Sequence, residues 1–372
     1  MIYLDNSATT QPFAEVVDTF ATVSTKYFGN PSSLHELGSQ SSKLLQKARE
    51  QVATICNVQP RDVVFTSGGT EGNNMIVKGV AEQNGISKTH IITAETEHPS
   101  ILETVHYLEK QGAKVSYIPV DESGLIQLSE LEAAITNDTT LVTFMSVNNE
   151  TGVVQPISKI GEVVKKYSKA HFHVDHVQGM TKVELKVDEW HIDSFTISGH
   201  KVHGLKGTGA LILKKNKLVS PLLRGGGQEQ DLRSGTENVA GAVSLAKALR
   251  LVEERKNLTE LSKLTNEFKE KVKHHPKLLL NSPLENSAPH IINFSAPGTP
   301  GEVLVHALEM KGIYVSTTSA CSSKLAKAST VLLAMGRKDA EAKSSIRISL
   351  SIQSTEEELI KAWSALEAFL AS

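Results

Sequence analysis

The sequence predicts an α/β protein built around a mainly parallel sheet that is covered on both faces. Three observations predict it. From Asp62 to about Leu213, short β-rich runs alternate with helical runs, as expected for strands joined by helical crossovers. Polar, glycine-rich clusters follow several of these strands, where ligands sit in such sheets. The chain has 372 residues, 40% hydrophobic and 22% charged, which suits a globular protein of about two domains.

Taken in order, polar turn-forming segments at Asp5–Thr10 and Gly29–Ser33 flank a helix from Phe13 to about Tyr27. A long helix follows and ends near Cys56, with Leu44, Leu45, Ala48, Val52 and Ile55 on one face. Cys56 closes that apolar pattern and reads as a packing residue. The candidate strands are Val63–Phe65, His90–Ile92, Val115–Ile118, Leu141–Phe144, Phe172–Val174, Ser194–Ile197 and Ala210–Leu213. Residues from about Asn238 to His274 read as long helix, interrupted near Asn257. Shorter α and β segments follow at His290–Phe294, Gly301–Met310, Ile313–Ser316 and Ile346–Leu350. The last helix is predicted to begin with Ser354 as its cap and Glu357 completing a capping box. Leu359, Trp363, Leu366 and Leu370 then form its apolar stripe.

The net charge of −2 gives no argument for nucleic acid or an anionic membrane, and no apolar run is long enough to span a bilayer. The first residues lack the pattern of a signal peptide. The two cysteines, Cys56 and Cys321, are far apart and make no disulfide framework, so a reduced cytoplasmic location is expected.

Several clusters could carry chemistry. Lys201, in Ser198-Gly199-His200-Lys201, leaves a strand between small residues. It is either a solvated loop lysine or a desolvated amine able to attack a carbonyl. Thr66–Glu71 joins a strand to a helix start, so Gly69 and Thr70 could meet a phosphate there, or form a plain turn. His98, after the next strand, could stack on a planar ring or simply begin a helix. Asn148 and Asn149 suit either a polar ligand or a turn.

Strand alternation puts His171, His173 and Asp175 on one side of the chain. This spacing admits a metal reading, but Asp175 better suits a buried carboxylate paired with a protonated ring nitrogen. Arg233–Asn238 reads as an anion site or a surface loop. Cys321 stands in the polar run Thr317–Lys324, incidental or nucleophilic when deprotonated. Arg347, in a β-patterned run, needs a carboxylate from the protein or from a ligand.

In this order the motifs closely resemble the NifS-like cysteine desulfurases, in the class-V aminotransferase family of enzymes dependent on pyridoxal 5′-phosphate. The resemblance runs from Tyr3-Leu4-Asp5-Asn6 to Ser345-Ile346-Arg347. It implies fold type I, with a seven-stranded sheet in a large cofactor-binding domain (14–256). A small α+β domain (1–13 with 257–372) would carry the catalytic cysteine loop.

By the same resemblance Lys201 holds the cofactor covalently and Asp175 pairs with its ring nitrogen. Gln178 meets the ring hydroxyl, and His98 stacks on the ring as a catalytic residue. Gly69, Thr70, Ser198 and His200 line the phosphate, with Thr236 reaching across a homodimer. Asn149 contacts cofactor and substrate, and Arg347 holds the substrate carboxylate. No metal is implied.

The implied reaction converts L-cysteine to L-alanine and leaves a persulfide on Cys321. A sulfur-acceptor protein then receives the sulfur for iron–sulfur clusters, thiolated tRNA or another thio-cofactor. Selenocysteine cleavage or another class-V reaction is the alternative, and a non-catalytic sulfur carrier is a third reading. His176, His203 and Leu205 depart from the family pattern. The short stretch beyond the last helix leads us to expect no C-terminal tail for docking an iron–sulfur scaffold.

Overall fold

The computed structural model describes residues 1–214, 219–317 and 328–371. The chain opens with β1 (Ile2–Tyr3), α1 (Ala14–Lys26) and α2 (Glu36–Cys56). Then come β2 (Val63–Thr66), α3 (Gly69–Asn84), β3 (His90–Ala94), α4 (Pro99–Lys110) and β4 (Lys114–Ile118). They lead into α5 (Leu128–Ala134), β5 (Thr139–Met145), α6 (Ile157–Tyr167), β6 (His171–Asp175), β7 (Ser194–Ser198) and β8 (Gly209–Leu213). All seven strands expected from the sequence between Asp62 and Leu213 are present.

These seven strands form one sheet in the order β2-β8-β7-β6-β5-β3-β4. Only β8 runs against its neighbours. Every residue of β3, β6, β7 and β8 is buried. That is the pattern of strands covered by helices on both faces. The carboxyl ends of β2, β3, β5, β6 and β7 therefore open on the same edge, and each is followed by a polar cluster named above.

Two helices, α7 (Val239–Arg255) and α8 (Leu258–His274), lead onward. The break falls at Asn257, whose Oδ1 accepts from the Glu260 N–H at 3.1 Å and caps α8. The remaining elements are β9 (Leu279–Leu280), β10 (Ile291–Ser295), α9 (Gly301–Glu309), β11 (Ile313–Tyr314) and β12 (Ser316–Thr317). They end with α10 (Thr330–Ala334), α11 (Asp339–Lys343), β13 (Ser345–Ser349) and α12 (Glu356–Ala371). A four-stranded sheet, β12-β13-β10-β9, carries this part. Its apolar cluster takes Leu4 from the chain start together with Phe268, Ile292, Phe294, Ile348 and Leu366.

One boundary differs from expectation. The capping box of α12 uses Thr355 and Glu358, not Ser354 and Glu357. The Thr355 N–H donates to Glu358 at 3.0 Å and the Glu358 N–H donates to the Thr355 hydroxyl at 3.3 Å. Ser354 instead accepts from the Ser351 N–H, and Glu357 pairs with Lys361 one turn on. Ser-Thr followed by three glutamates offers two adjacent registers, and the local pattern cannot choose between them.

Candidate active site

The last residue of β6 is Asp175, buried at 6% exposure. Each of its carboxylate oxygens accepts a donor: Oδ2 from Asn73 Nδ2 at 2.8 Å, Oδ1 from the Val177 N–H at 3.0 Å. Neighbouring Glu97 is also buried. Burial first, and the Asp175 charge in addition, push its acid well above the usual carboxylate range, against the Met145 N–H, which lowers it. Glu97 Oε1 accepts from the Met145 N–H at 2.8 Å.

His98 is the cap residue of α4, and Pro99 fixes the first helical turn after it. Its Nδ1 accepts from the Ser100 N–H at 3.1 Å and lies 2.8 Å from the Ser100 hydroxyl. With Nδ1 an acceptor, the neutral ring carries its proton on Nε2. Burial lowers the His98 pKa; the Asp175 carboxylate opposes this and the Lys201 ammonium adds to it. One imidazole thus senses both groups, which brings β6, α4 and the lysine turn to one place.

Lys201 follows β7 in a short 3-10 turn. Its amine donates to the carbonyls of Ser7 and, at 2.9 Å, Ala8. Gln178 Nε2 donates to the same Ser7 carbonyl at 2.9 Å, and the His290 ring faces Gln178 Oε1 at 3.4 Å. The N-terminal segment therefore forms one wall around the lysine. Lys182, whose amine donates to the Lys201 carbonyl at 3.1 Å, is pushed down to about 7 by burial and by the Lys201 charge. No feature of Asp5–Ala8 beyond turn-forming composition announces this role.

The glycine-rich turn before α3 lies against the end of β7. A Cβ on Gly69 would stand 2.8 Å from Val177 Cγ2 and 3.8 Å from Ser198 Cβ, so backbone alone fits there. The buried Ser198 Oγ and His200 Nδ1 find no partner among the described residues. His200 is pushed down to about 4 by burial, then by Lys201, Lys206 and His98. Thr70, in the first turn of α3, and Thr236 are exposed. Arg233, three residues before Thr236, pairs with Glu71 at 2.8 Å and ties that loop to the start of α3.

At the remaining edge, Arg347 of β13 is buried. Its Nη1 donates to the Asn149 carbonyl at 2.9 Å and its Nη2 to Asp5 at 3.0 Å, while Nε has no partner among the described residues. Asn148 closes its own turn, accepting from the N–H groups of Glu150 and Thr151 at 3.0 and 2.9 Å. Asn149 differs, contributing its carbonyl to Arg347. Cys321 lies outside the described residues.

The departures from the family pattern have local explanations. His203 adopts a left-handed conformation (φ 58°) and stacks on Phe13 with ring centroids 4.4 Å apart. Its backbone N–H donates to the Thr10 hydroxyl at 2.7 Å, and its Nδ1 faces the Gln11 carbonyl at 2.8 Å. His203 therefore pins the N-terminal segment in place. His176 meets the Ser146 hydroxyl at 2.8 Å and sits edge-on to Phe195. Leu205 packs against the large core. His171 and His173 share the Ser194 hydroxyl, and His173 also faces Asn73.

The site combines a partnered carboxylate, an amine and a capped imidazole with a glycine cradle and unpartnered hydroxyl and ring nitrogen. Such a set suits an aromatic aldehyde bearing a phosphate. Residues 2–361 match the model of the class-V aminotransferase family. The chain is 45% identical to a NifS/IcsS protein homolog of Lactobacillus delbrueckii subsp. bulgaricus, over 96% of this chain and 94% of that protein. It is 39% identical to the cysteine desulfurase IscS of Dictyoglomus turgidum, over 99% and 94% respectively. A solved NifS-like protein superposes with a TM-score of 0.92 at 38% identity, covering 100% of this chain and 99% of that one. The chain belongs to the class-V aminotransferase family, in its NifS/IscS-like cysteine desulfurase group. Its cofactor is pyridoxal 5′-phosphate, as in the family.

Proposed function

We infer that this protein is a cysteine desulfurase, converting L-cysteine to L-alanine while a cysteine of the enzyme takes the sulfur. The observation that carries the reading is the set of contacts that ties His98 through Ser100 and Asn73 to Asp175, and Lys201 through the Ser7 carbonyl to Gln178, in a chain related to desulfurases over nearly its whole length. We propose the assignments as follows. Asp175 accepts from the ring nitrogen, Gln178 meets the ring hydroxyl and His98 stacks on the ring. The Gly69 backbone, Thr70, Ser198 and His200 hold the phosphate, aided by Thr236 of a second copy in a homodimer. Asn149 serves cofactor and substrate, and Arg347 receives the substrate carboxylate.

When bound, pyridoxal phosphate supplies an electron-accepting ring that eases loss of the substrate's α-proton. Lys201 Nζ is the group that binds it and then takes that proton. Arg347 orients the substrate through its guanidinium, which Asp5 and the Asn149 carbonyl already hold in place. The Cys321 thiolate attacks the substrate sulfur. The carbon–sulfur bond breaks, a sulfur–sulfur bond forms, and alanine leaves with the electron pair and a proton. The persulfide then passes to an acceptor protein, for iron–sulfur cluster assembly or another thiolation route. A reducing compartment such as the cytoplasm would keep that thiol available.

The division into a large domain (14–256) and a small one (1–13 with 257–372) is part of this reading. It is supported by the split between two successive helices: α7 packs into the large apolar cluster and α8 into the smaller one, although Phe13, Val331, Leu332 and Met335 also join the large cluster. The test is to purify the protein with pyridoxal phosphate and incubate it with L-cysteine, following alanine. Alanine formation that disappears in Cys321→Ala is expected. A protein that takes up no cofactor, or makes alanine only from selenocysteine, would overturn the reading.

A further inference from the structure

Asn73 lies in the second turn of α3, 1% exposed, and its amide has three partners. Nδ2 donates to Asp175 Oδ2 at 2.8 Å and to the Ser100 hydroxyl at 2.9 Å. Oδ1 faces His173 Nε2 at 3.1 Å. A flipped amide would set its oxygen against the Asp175 carboxylate, acceptor against acceptor, so the orientation is fixed by chemistry.

The rest of the chain of hydrogen bonds follows from that orientation. Asn73 Oδ1 needs a proton, so His173 carries one on Nε2. His173 is fully buried and burial pushes its ring down to about 3, so it is neutral and its Nδ1 is bare. Nδ1 then accepts from the Ser194 hydroxyl at 2.8 Å. Having donated its one proton, Ser194 accepts from His171 Nε2 at 2.7 Å. The hydrogen bonds run in one direction, from β7 and β6 through α3 to the Asp175 carboxylate. With Val177 N–H on the other oxygen, the carboxylate cannot rotate without losing a donor.

We propose that Asn73, itself oriented by His173, is a positioning residue that aims the Asp175 carboxylate at the cofactor's ring nitrogen. The inference rests on the cofactor roles assigned under the proposed function. A merely structural tie between α3 and β6 would hold the fold together whatever occupies the pocket. A positioning tie acts only on a ligand that presents a ring nitrogen.

The experiment compares two ligands on protein stripped of cofactor: pyridoxal phosphate, and its 1-deaza analogue with carbon in place of the ring nitrogen. Uptake is followed by fluorescence. In Asn73→Ala, binding of pyridoxal phosphate should weaken by about tenfold or more, as expected for one lost hydrogen bond to a charged group. Binding of the deaza analogue should change by less than about threefold. His173→Leu should show the same selective loss in smaller measure. His173→Gln, which keeps a donor for Asn73 Oδ1, should restore binding, and this pair decides the matter if Asn73→Ala does not fold. Equal losses for both ligands, or none, would overturn the proposal while leaving the desulfurase reading intact. Wild-type protein that bound neither ligand would overturn both.

Discussion

The two ends of the pocket are built differently. At the proposed ring end, Asp175 has a donor on each oxygen, and Asn73 ties it to Ser100 and His173. At the proposed phosphate end, buried Ser198 Oγ and His200 Nδ1 have no partner among the described residues. A buried polar atom without a partner costs free energy, so the protein carries that cost until a ligand removes it. On the proposed assignments, one end is organised before the cofactor arrives, and the other would be completed by it. The proposed substrate edge differs from both: two Arg347 nitrogens are engaged, and Nε has no partner among the described residues.

Substitutions should separate these regions. Lys201→Ala removes the group that serves both ends, and alanine formation should fall by at least about a thousandfold. A smaller loss would mean that the proton is taken elsewhere. Ser198→Ala should weaken cofactor binding by roughly tenfold to a hundredfold through loss of a donor to a charged phosphate. Because that hydroxyl has no partner to lose, the cofactor-free protein should melt at the wild-type temperature or slightly above. A clear fall in its melting temperature would break the contrast between the two ends.

The substrate edge adds a pH dependence. Burial raises Glu150 from 4.5 to about 7, against the Ser329 hydroxyl and Arg347, which lower it. A carboxyl with a raised folded pKa contributes stability that is complete below its unfolded pKa and lost as pH rises through the folded one. The window is therefore from about 4.5 to about 7, and the effect is at most about 3 kcal/mol. Melting temperatures across this window should fall less steeply in Glu150→Gln than in wild type. Parallel profiles would show that Glu150 titrates normally. The smallest effect is expected at Cys56, buried and pushed up to about 12. Cys56→Ala should leave sulfur release unchanged, and thiol reagents should spare Cys56 in the folded protein.

Much of this was legible in the sequence. The strand–helix alternation located all seven strands of the large sheet, and the apolar spacing of Leu45, Ala48 and Val52 located α2. Strand alternation put His173 and Asp175 on one side, where Asn73 now joins them. Asn73 itself was not singled out, because a polar residue inside a helical run looks like any solvated position. The contacts of Lys201 with Ser7 and Ala8 were equally hidden. They use backbone carbonyls from a segment about two hundred residues away, and a carbonyl leaves no mark on residue type. His203 stood out in the sequence only as a departure from the family pattern; its ring stacks on Phe13 and anchors the chain start, which residue type alone does not reveal.

The most direct test of the account is to treat the cofactor-loaded protein with L-cysteine and weigh the peptide containing Cys321. One added sulfur atom on Cys321, formed together with alanine and lost on reduction, is the predicted result. Alanine released while Cys321 stays unmodified through the first turnover would contradict it.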